Sequence, residues 1–514
     1  MKIESAAGPE IKTETLSTPP SGGPERGPLS FAAFERYVPL AVWALVVLTF
    51  LCIAFRIFSY GYLPAGDARR HIAKAMTERT YPEILVLRPG YFMTNSPGWE
   101  WLLRQLHRTA GWSQDALASF AIISLLLWVF FSPLPWLRRP EAWAAALLAE
   151  MLVLPELMPN RLTQARPFLL TEGILIGILL AWSRTDLKPP AWSKIVLTWL
   201  AFSLCVWVHG LWYLWVLPLA AFCLGGQWKS ALWLTGCWMA GTLTGALLTG
   251  HPVAFLTQAL FIASSISHQA GLLQQWMLVG ELRPNFGNFT TLALLAIVFL
   301  LRRAVPGSAT RFSGRPALWL IGLSWVLGLK ADRFWADWGL PAVFVWLTIQ
   351  FEEMSQGFWS SGSLKRVAFC GFVALALFLD ASNDPDERYS FNQRESLLDA
   401  ADPALQGWLP EPGGIFYCSE MRFFYTTFYK NPDAPWRYVL GLEPALMPDE
   451  DLKILRFIQF NHGTAKAYEP WVQKMRPEDR LVIYGTSQPT LPQLQWLNPA
   501  GDTWIGRLPL SATP

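Results

Sequence analysis

Residues 37–58 read YVPLAVWALVVLTFLCIAFRIF, and residues 66–71, a few positions later, read GDARRH. The first stretch is long and apolar enough to cross a bilayer as a helix. The second stretch places an aspartate, two arginines and a histidine just outside the hydrocarbon, where charged groups are tolerated and reagents from water and lipid can meet. Together they predict a membrane protein whose other spans build a cavity around Asp67.

The composition supports this prediction. Of the 514 residues, 52% are hydrophobic and only 15% are charged, as expected of a polytopic membrane protein. The net charge is only +3, and no basic cluster is interleaved with aromatic residues, so no nucleic-acid partner is expected. Five of the six cysteines fall in apolar runs, which excludes a disulfide framework or a CxxC metal site.

Apolar runs recur along most of the chain and predict about eleven transmembrane helices. They lie near residues 37–58, 116–136, 141–157, 167–182, 191–209, 211–224, 230–249, 289–301, 316–329, 338–351 and 367–380. With the N-terminus inside, every short inside loop is basic, as the distribution of Lys and Arg in membrane proteins requires. The sequence therefore predicts an inner-membrane protein, bacterial in origin, with a cytoplasmic N-terminus and an extracytoplasmic C-terminus.

The polar segments complete the predicted organisation. The domains are a disordered cytoplasmic lead (1–36), a transmembrane domain (37–381) with a long first outer loop (59–114), and a small extracytoplasmic α/β domain (382–514). In that last domain the patterns predict strands at Gly414–Cys418, Trp436–Leu442 and Arg480–Gly485, and a helix at Pro448–Asn461. A sandwich on a partly parallel sheet is the simplest assembly.

Asp67 is the first candidate catalytic residue. A carboxylate at this place can act as a general base by accepting a proton from an attacking hydroxyl group. It can equally be the N-cap of the following helix, and the two roles are compatible. His71 is four residues further on and would share a helix face with Asp67, so it could orient the carboxylate, bind a phosphate oxygen, or simply hydrogen-bond to a neighbour.

Basic residues at the predicted outer ends of spans are the candidates for binding an anion. Arginine binds phosphate with two parallel hydrogen bonds. More often, however, a Lys or Arg at the end of a span extends to the lipid headgroups. The aromatic and acidic residues around Arg333 favour substrate binding there, and the nearby Lys330 is grouped with it. Both readings stay open for Arg166, and headgroup contact is favoured for Arg161.

Two further polar residues lie close to the same predicted face. Glu172 falls about one turn inside the fourth span, where an ionisable group should face the bundle interior with a partner. Pairing with Arg166 is the favoured reading, and a catalytic role is the alternative. His209 opens a tight outer turn from which it could reach the cavity. No HExxH or similar spacing is present, so no metal site is expected.

These features resemble the C-type glycosyltransferase superfold, the integral membrane enzymes that use polyprenyl-phosphate-linked sugars. The resemblance rests on residues 66–71 in a long loop after the first span, on Lys330–Phe334 (KADRF) at the outer start of a late span, and on the domain after the last span. It implies that Asp67 activates the acceptor and that Arg333 holds the lipid phosphate. Many relatives carry a second acid, for which Glu156 or Glu172 would have to serve.

The expected function is therefore transfer of a sugar from a polyprenyl-phosphate donor to an envelope acceptor, which would be a lipid, a glycan or a protein. Asp67 and Glu172 are the expected catalytic residues, with no cofactor and no metal. Membrane lipids are the other expected partners. The expected substrate-binding residues are Arg69, Arg70, His71, Arg166, His209, Lys330 and Arg333. A lipid or solute transporter and a non-catalytic membrane scaffold are the alternatives.

Overall fold

A computed structural model describes residues 35–60, 66–154, 161–183, 189–267, 282–285, 289–304, 315–383 and 398–509, without the side chains of residues 67, 265–267, 304 and 357. Most of the predicted lead and Glu156 lie outside these residues. The helices are α1 (Val38–Ser59), α2 (Asp67–Met76), α3 (Tyr81–Ile84), α4 (Pro97–Ala110), α5 (Gln114–Phe131), α6 (Pro140–Val153), α7 (Phe168–Ser183), α8 (Trp192–Val208), α9 (Val216–Leu224), α10 (Trp228–Leu247), α11 (Pro252–Ser267), α12 (Phe289–Ala304), α13 (Pro316–Gly328), α14 (Asp332–Phe334), α15 (Leu340–Phe358), α16 (Leu364–Ala381), α17 (Met421–Lys430), α18 (Asp449–Phe460) and α19 (Glu469–Lys474).

Every predicted apolar run carries a helix, and these helices pack around one continuous apolar core. Within the described residues, two helical stretches are long and apolar enough to cross a membrane: Val38–Ser59, with 22 residues, and Gln114–Trp136, with 23. Helices α10 and α11 would form a third as one broken span, bent by 112°. The bundle is thus helical as predicted, and the number of spans stays a prediction.

The first loop, residues 59–114, folds into α2, α3 and α4. Helix α2 is buried on all its described faces, because it lies between two apolar cores. Ala68, Ile72 and Ala75 belong to the core of the helical bundle, whereas Ala73 belongs to a core shared with the C-terminal domain. A helix with the sequence DARRHIAKAM is therefore enclosed by protein rather than by water.

The C-terminal domain contains a five-stranded sheet of order β2-β1-β3-β5-β4. Its strands are β1 (Ile415–Cys418), β2 (Arg437–Tyr438), β3 (Arg480–Tyr484), β4 (Gln495–Ala500) and β5 (Thr503–Arg507). Strands β2, β1 and β3 are parallel, and β3, β5 and β4 are antiparallel, which confirms the partly parallel sheet.

Two predicted strands and the predicted helix are confirmed at β1, β3 and α18. The third predicted strand is wrong in length, because only Arg437 and Tyr438 pair before the chain turns away from the sheet. The β4–β5 hairpin was not predicted. Strand β4 is mostly exposed or half-buried and contains Pro499, so it lacks the apolar run by which the other strands are recognised.

The first loop joins the sheet at its β2 edge. Leu85 forms a parallel bridge with Tyr438, and the Val86 amide donates a hydrogen bond of 2.9 Å to the Tyr438 carbonyl oxygen. Next along the loop, the Arg88 amide donates to the carbonyl oxygen of Leu446 at 2.8 Å. Residues more than 300 positions apart are thereby fixed in one unit, and this unit covers one end of the helical bundle.

Replacing Gly441 with valine is expected to weaken this junction. A Cβ atom at Gly441 would lie 2.5 Å from Cδ2 of Leu85 and 2.7 Å from Cδ1 of Phe424, and both side chains are buried. Overpacking of this kind costs about 1–3 kcal/mol. We expect a lower Tm in detergent. Gly485→Ala is the control, because its Cβ would meet nothing closer than 3.8 Å. Equal Tm values for the two variants would contradict the packing described here.

Candidate functional site

A cavity of about 150 Å³ lies where the helical bundle, the first loop and the C-terminal domain meet. The bundle and its turns contribute Arg161, Gln164, Arg166, Pro167, Phe168, Leu169, His209, Leu211, Tyr213, Gln258, Ile262, Leu282, Arg333 and Asp337; the first loop contributes Arg70, Met93, Thr94, Asn95 and Ser96; the C-terminal domain contributes Met421, Tyr425, Leu442, Glu443 and Leu446. Charged and apolar groups share this lining, so the cavity suits an amphiphilic molecule.

Four arginines line the cavity: Arg70, Arg161, Arg166 and Arg333. They come from three separate parts of the chain, namely α2, the turn before α7, and α14. Two carboxylates, of Asp337 and Glu443, share the described lining with them. Guanidinium groups present several N–H donors in a fixed plane that matches phosphate and carboxylate oxygens. The arginines therefore give the lining several groups that can bind an anion.

Asp337 holds two of these arginines in place. Its Oδ2 accepts a hydrogen bond from Nε of Arg333 at 2.9 Å, and its Oδ1 accepts one from Nη2 of Arg161. The same Nη2 atom donates to Oε1 of Glu172 at 3.1 Å, so the four side chains form one chain of ion pairs. Asp337 is buried within a short π-helix, Trp335–Gly339. Such turns occur often at functional sites, because the extra residue re-aims a side chain.

The turn before α7 directs its side chains by an unusual backbone conformation. Ala165 has φ 56°, in the left-handed region that favours glycine, and it is completely buried. Its two neighbours, Gln164 and Arg166, both line the cavity. A non-glycine residue in this region costs free energy, and such strain concentrates at functional sites.

Arg70 reaches the cavity from a buried polar cluster. Its Nη1 donates to Oη of Tyr81 at 3.0 Å and to Oγ1 of Thr94 at 3.1 Å, and its Nη2 donates to Nε2 of His71 at 3.2 Å. Because a guanidinium can only donate, Nε2 of His71 accepts, and the proton is on Nδ1. Nδ1 of His71 then donates to Oε1 of Glu100 at 2.9 Å, and Tyr81 donates to the same oxygen at 2.6 Å.

Glu100 is the only carboxylate in this described cluster, and it is almost fully buried. Burial by itself would raise its pKa. The hydrogen bond from His71, the charge of Arg70 and the hydrogen bond from Tyr81 outweigh burial, and they hold the pKa of Glu100 below its ordinary value of 4.5. Glu100 is therefore ionised at neutral pH and balances the charge of Arg70.

His209 follows the end of α8 and lies at the wall of the cavity. Its ring packs edge-on against Phe168, with ring centroids 5.1 Å apart. The next residue, Gly210, donates its amide to the carbonyl oxygen of Asn95 at 2.7 Å. A Cβ atom at Gly210 would lie 2.8 Å from the ring of Phe255, so only glycine permits this close approach between the turn, the first loop and α11.

The structure brings together four of the predicted substrate-binding residues, since Arg70, Arg166, His209 and Arg333 all line the cavity. His71 lies behind Arg70. The remaining two predicted residues, Arg69 and Lys330, are not part of the lining. Arg69 is buried, within electrostatic reach of Tyr429 in the C-terminal domain, and Lys330 is exposed.

Two readings of the sequence require correction. Glu172 pairs with Arg161 and not with Arg166, because Arg161 extends along the entrance to α7 and reaches both Glu172 and Asp337. The same contacts turn Arg161 inward, with 15% of its side chain exposed, so it lines the cavity instead of extending to lipid headgroups.

The N-cap reading of Asp67 is displaced by one residue. Gly66, with φ 61°, is the N-cap of α2, and Asp67 is the first helical residue. The backbone here is close to the cavity, because a Cβ atom at Gly66 would lie 3.6 Å from Nη2 of Arg166. The side chain of Asp67 lies outside the described residues, and its catalytic role stays a prediction.

Sequence reasoning missed Glu100 and Glu443 entirely and noted Asp337 only as a neighbour of Arg333. A signal was available for Asp337, since it is four residues after Arg333 and such spacing pairs side chains on a helix. Glu100 gave no comparable signal, because its partners His71 and Tyr81 are distant in sequence, and Glu443 gave none, because the other walls of the cavity come from distant segments. In the part of the chain that the structure describes, no three His, Cys, Asp or Glu side chains are grouped so as to hold a metal ion.

Comparison with known proteins adds no assignment. No model of a protein family matches the chain. No curated protein is significantly similar to it in sequence.

Replacing Glu100 with alanine is expected to destabilise the protein strongly. The substitution removes the buried carboxylate that accepts hydrogen bonds from His71 and Tyr81 and lies 3.7 Å from the guanidinium of Arg70, and breaking a buried pair costs about 3–5 kcal/mol. The measurement is the Tm of the purified variant. Glu78→Ala is the matched control, since Glu78 is an exposed carboxylate of the same loop, paired with Arg108, and its removal should change Tm little.

The contribution of Glu100 is also expected to depend on pH. Since the folded protein lowers the pKa of Glu100, its stabilising effect is complete above the ordinary value of 4.5 and is lost as the pH falls through the lower, folded value. The Tm difference between wild type and Glu100→Ala should therefore shrink in acid. A difference that stays constant from pH 7 to pH 3 would contradict this account.

Proposed function

We propose that this protein is an integral membrane glycosyltransferase that moves a sugar from a polyprenyl-phosphate donor to an acceptor of the cell envelope. The observation that carries the proposal is the placement of four arginines around one cavity that also has apolar walls. A lipid-linked phosphate has the matching chemistry, with a dianionic or monoanionic head next to a long hydrocarbon chain.

The number and orientation of the membrane spans are also proposed. We place about eleven spans in a bacterial inner membrane, with the N-terminus cytoplasmic and the C-terminal domain on the extracytoplasmic side. The helix found in each apolar run and the basic residues of the predicted inside loops support this arrangement. With this orientation, the first loop, the C-terminal domain and the cavity between them all belong to the extracytoplasmic face.

The lipid phosphate is proposed to bind at Arg333 together with Arg166. Arg333 is about one-quarter exposed, its Nε donates a hydrogen bond to Asp337, and its side chain lines the cavity. Apolar side chains of the lining, such as Ile262 and Leu282, would contact the first part of the prenyl chain. The cationic groups would also stabilise the charge that develops on the departing phosphate.

In the proposed reaction, the acceptor hydroxyl oxygen attacks the anomeric carbon of the donor sugar. The bond from that carbon to the phosphate oxygen breaks, and the lipid phosphate leaves with the bonding electrons. Asp67 accepts the hydroxyl proton. Phosphate is a good leaving group, so positioning, one base and cationic stabilisation are sufficient. The closeness of Gly66 to Arg166 supports a place for Asp67 beside the phosphate. Neither a metal nor a cofactor is part of the proposal.

The proposed phosphate site makes a direct prediction for Arg333. Arg333→Gln should raise the donor KM by about 10–100-fold, because a hydrogen-bonded charge pair is lost. Lys330→Gln removes a positive charge three residues away that is exposed and outside the cavity lining, and its KM should stay within about twofold of wild type. Equal effects of the two substitutions would indicate that the positive charge of the surface as a whole attracts the anionic donor. That result would contradict a specific site at Arg333.

The proposed base makes a different prediction. Asp67→Asn should lower the rate of transfer from a radiolabelled polyprenyl-phosphate sugar by about 10²–10⁴-fold. Binding of the donor should persist, because the phosphate is held by other residues. If donor binding is retained and neither wild type nor variant transfers sugar to the native acceptor, the transporter or scaffold alternative is favoured. Full activity of Asp67→Asn would exclude this residue as the base.

A further inference from the structure

The C-terminal domain supplies one wall of the cavity. Met421 and Tyr425 come from α17, which follows β1, and Leu442 and Glu443 come from the segment that follows β2. Both segments leave the carboxyl ends of neighbouring parallel strands. In open α/β sheets, ligands bind in the crevice outside these carboxyl ends. The segments that leave the carboxyl ends of β1 and β2 therefore line the arginine-containing cavity.

This wall is held rigidly. Gly441 packs directly against the buried side chains of Leu85 and Phe424, with no room for a Cβ atom. The turn that follows Glu443, Pro444–Leu446, is fixed by the hydrogen bond from the Arg88 amide to the Leu446 carbonyl oxygen. Helix α11 also packs against this turn. A side chain on such a segment has a defined position before any ligand arrives, which reduces the entropic cost of binding.

The chemistry of this wall differs from that of the opposite wall. The described lining residues of the C-terminal domain include a carboxylate at Glu443 and a phenol at Tyr425, with apolar side chains between them and no basic group. A carboxylate repels a phosphate group, but it is a strong acceptor of hydrogen bonds from hydroxyl groups. An aromatic ring adds an apolar surface with a polar tip. This combination suits a neutral molecule with several hydroxyl groups.

The two walls are close to each other. Arg333 and Glu443 both lie within electrostatic reach of the phenol of Tyr213, which itself lines the cavity. In such a donor the sugar is attached directly to the phosphate, so a phosphate bound at Arg333 would place its sugar in the cavity that Glu443 also lines. The arginine wall would then hold the anionic part of the molecule, and the wall of the C-terminal domain would face the hydroxyl groups.

We infer that Glu443 and Tyr425 bind the sugar ring of the lipid-linked donor and determine which sugar is accepted. This inference rests on the proposed function and extends it by assigning a role to the C-terminal domain. Glu443 accepts hydrogen bonds from sugar hydroxyl groups, and Tyr425 packs beside the ring and forms a hydrogen bond to the sugar through its phenol hydroxyl group. Selectivity follows because a sugar that lacks a hydroxyl group at the matching position leaves the carboxylate of Glu443 without that bond.

The test compares binding of lipids with and without a sugar. Undecaprenyl phosphate and a panel of undecaprenyl-phosphate-linked hexoses and pentoses are titrated against the purified full-length protein, and Kd is measured for each. Wild type should bind at least one sugar-linked lipid about 10-fold or more tightly than undecaprenyl phosphate. Glu443→Gln should lose that preference while its Kd for undecaprenyl phosphate is unchanged. Tyr425→Phe should lose part of the preference.

Glu411→Gln is the matched control, since Glu411 is an exposed carboxylate that precedes the amino end of β1, whereas the cavity lies beyond the carboxyl ends of β1 and β2. Its preference for the sugar-linked lipid should equal that of wild type.

Equal affinity of wild type for all the lipids would overturn the inference, but it would not contradict the proposed phosphate site. A Glu443→Gln variant that weakens binding of undecaprenyl phosphate as much as that of the sugar-linked lipid would also overturn it, because Glu443 would then order the arginines. No binding of any lipid phosphate by wild type would overturn the proposed function itself. If Glu443→Gln fails to fold, the Kd values of Tyr425→Phe for the same lipids test the inference instead, and an unchanged preference would overturn it.

Discussion

The burial of helix α2 is the constraint on which the rest of the structure depends. This helix carries four basic side chains, Arg69, Arg70, His71 and Lys74, yet it lies between the core of the helical bundle and the core of the C-terminal domain. Buried charges are destabilising by several kcal/mol unless they are paired and hydrogen-bonded. For Arg70 and His71 the first loop meets this requirement by folding α4 back onto α2, so that Glu100 reaches both side chains.

The same folding creates the cavity. Once α2 is enclosed, its neighbour Leu85 joins the β2 edge of the sheet, and the segment after β2 closes over the end of the bundle. One wall then carries arginines fixed by Asp337, and the other carries Glu443 on a segment that cannot move without breaking the packing at Gly441. Hydrogen-bond donors that are already oriented in a partly enclosed site bind an anion without an additional free-energy cost of reorganisation. The cavity therefore has two walls of different chemistry, one with arginines and one with a carboxylate and a phenol.

The sequence predicted those features that depend on local pattern. The helical bundle and strands β1 and β3 follow from apolar periodicity. Two groups of features could not be read from the sequence. The pairing of Arg161 with Glu172 and Asp337 depends on how the turn before α7 bends at Ala165, where alanine takes a conformation typical of glycine. The roles of Glu100 and Glu443 depend on contacts between segments that are far apart in the chain, which no local pattern encodes.

The arginine-lined cavity is proposed to bind a lipid-linked phosphate. The most direct measurement is an electron cryomicroscopy structure of the protein in lipid nanodiscs that contain undecaprenyl phosphate, compared with nanodiscs that contain undecaprenol, which has no phosphate. The account predicts phosphate density within hydrogen-bonding distance of Arg333 and Arg166, with the prenyl chain leaving past Ile262, and no such density with undecaprenol. A cavity without lipid in both structures, or a phosphate bound elsewhere on the protein, would contradict the claim.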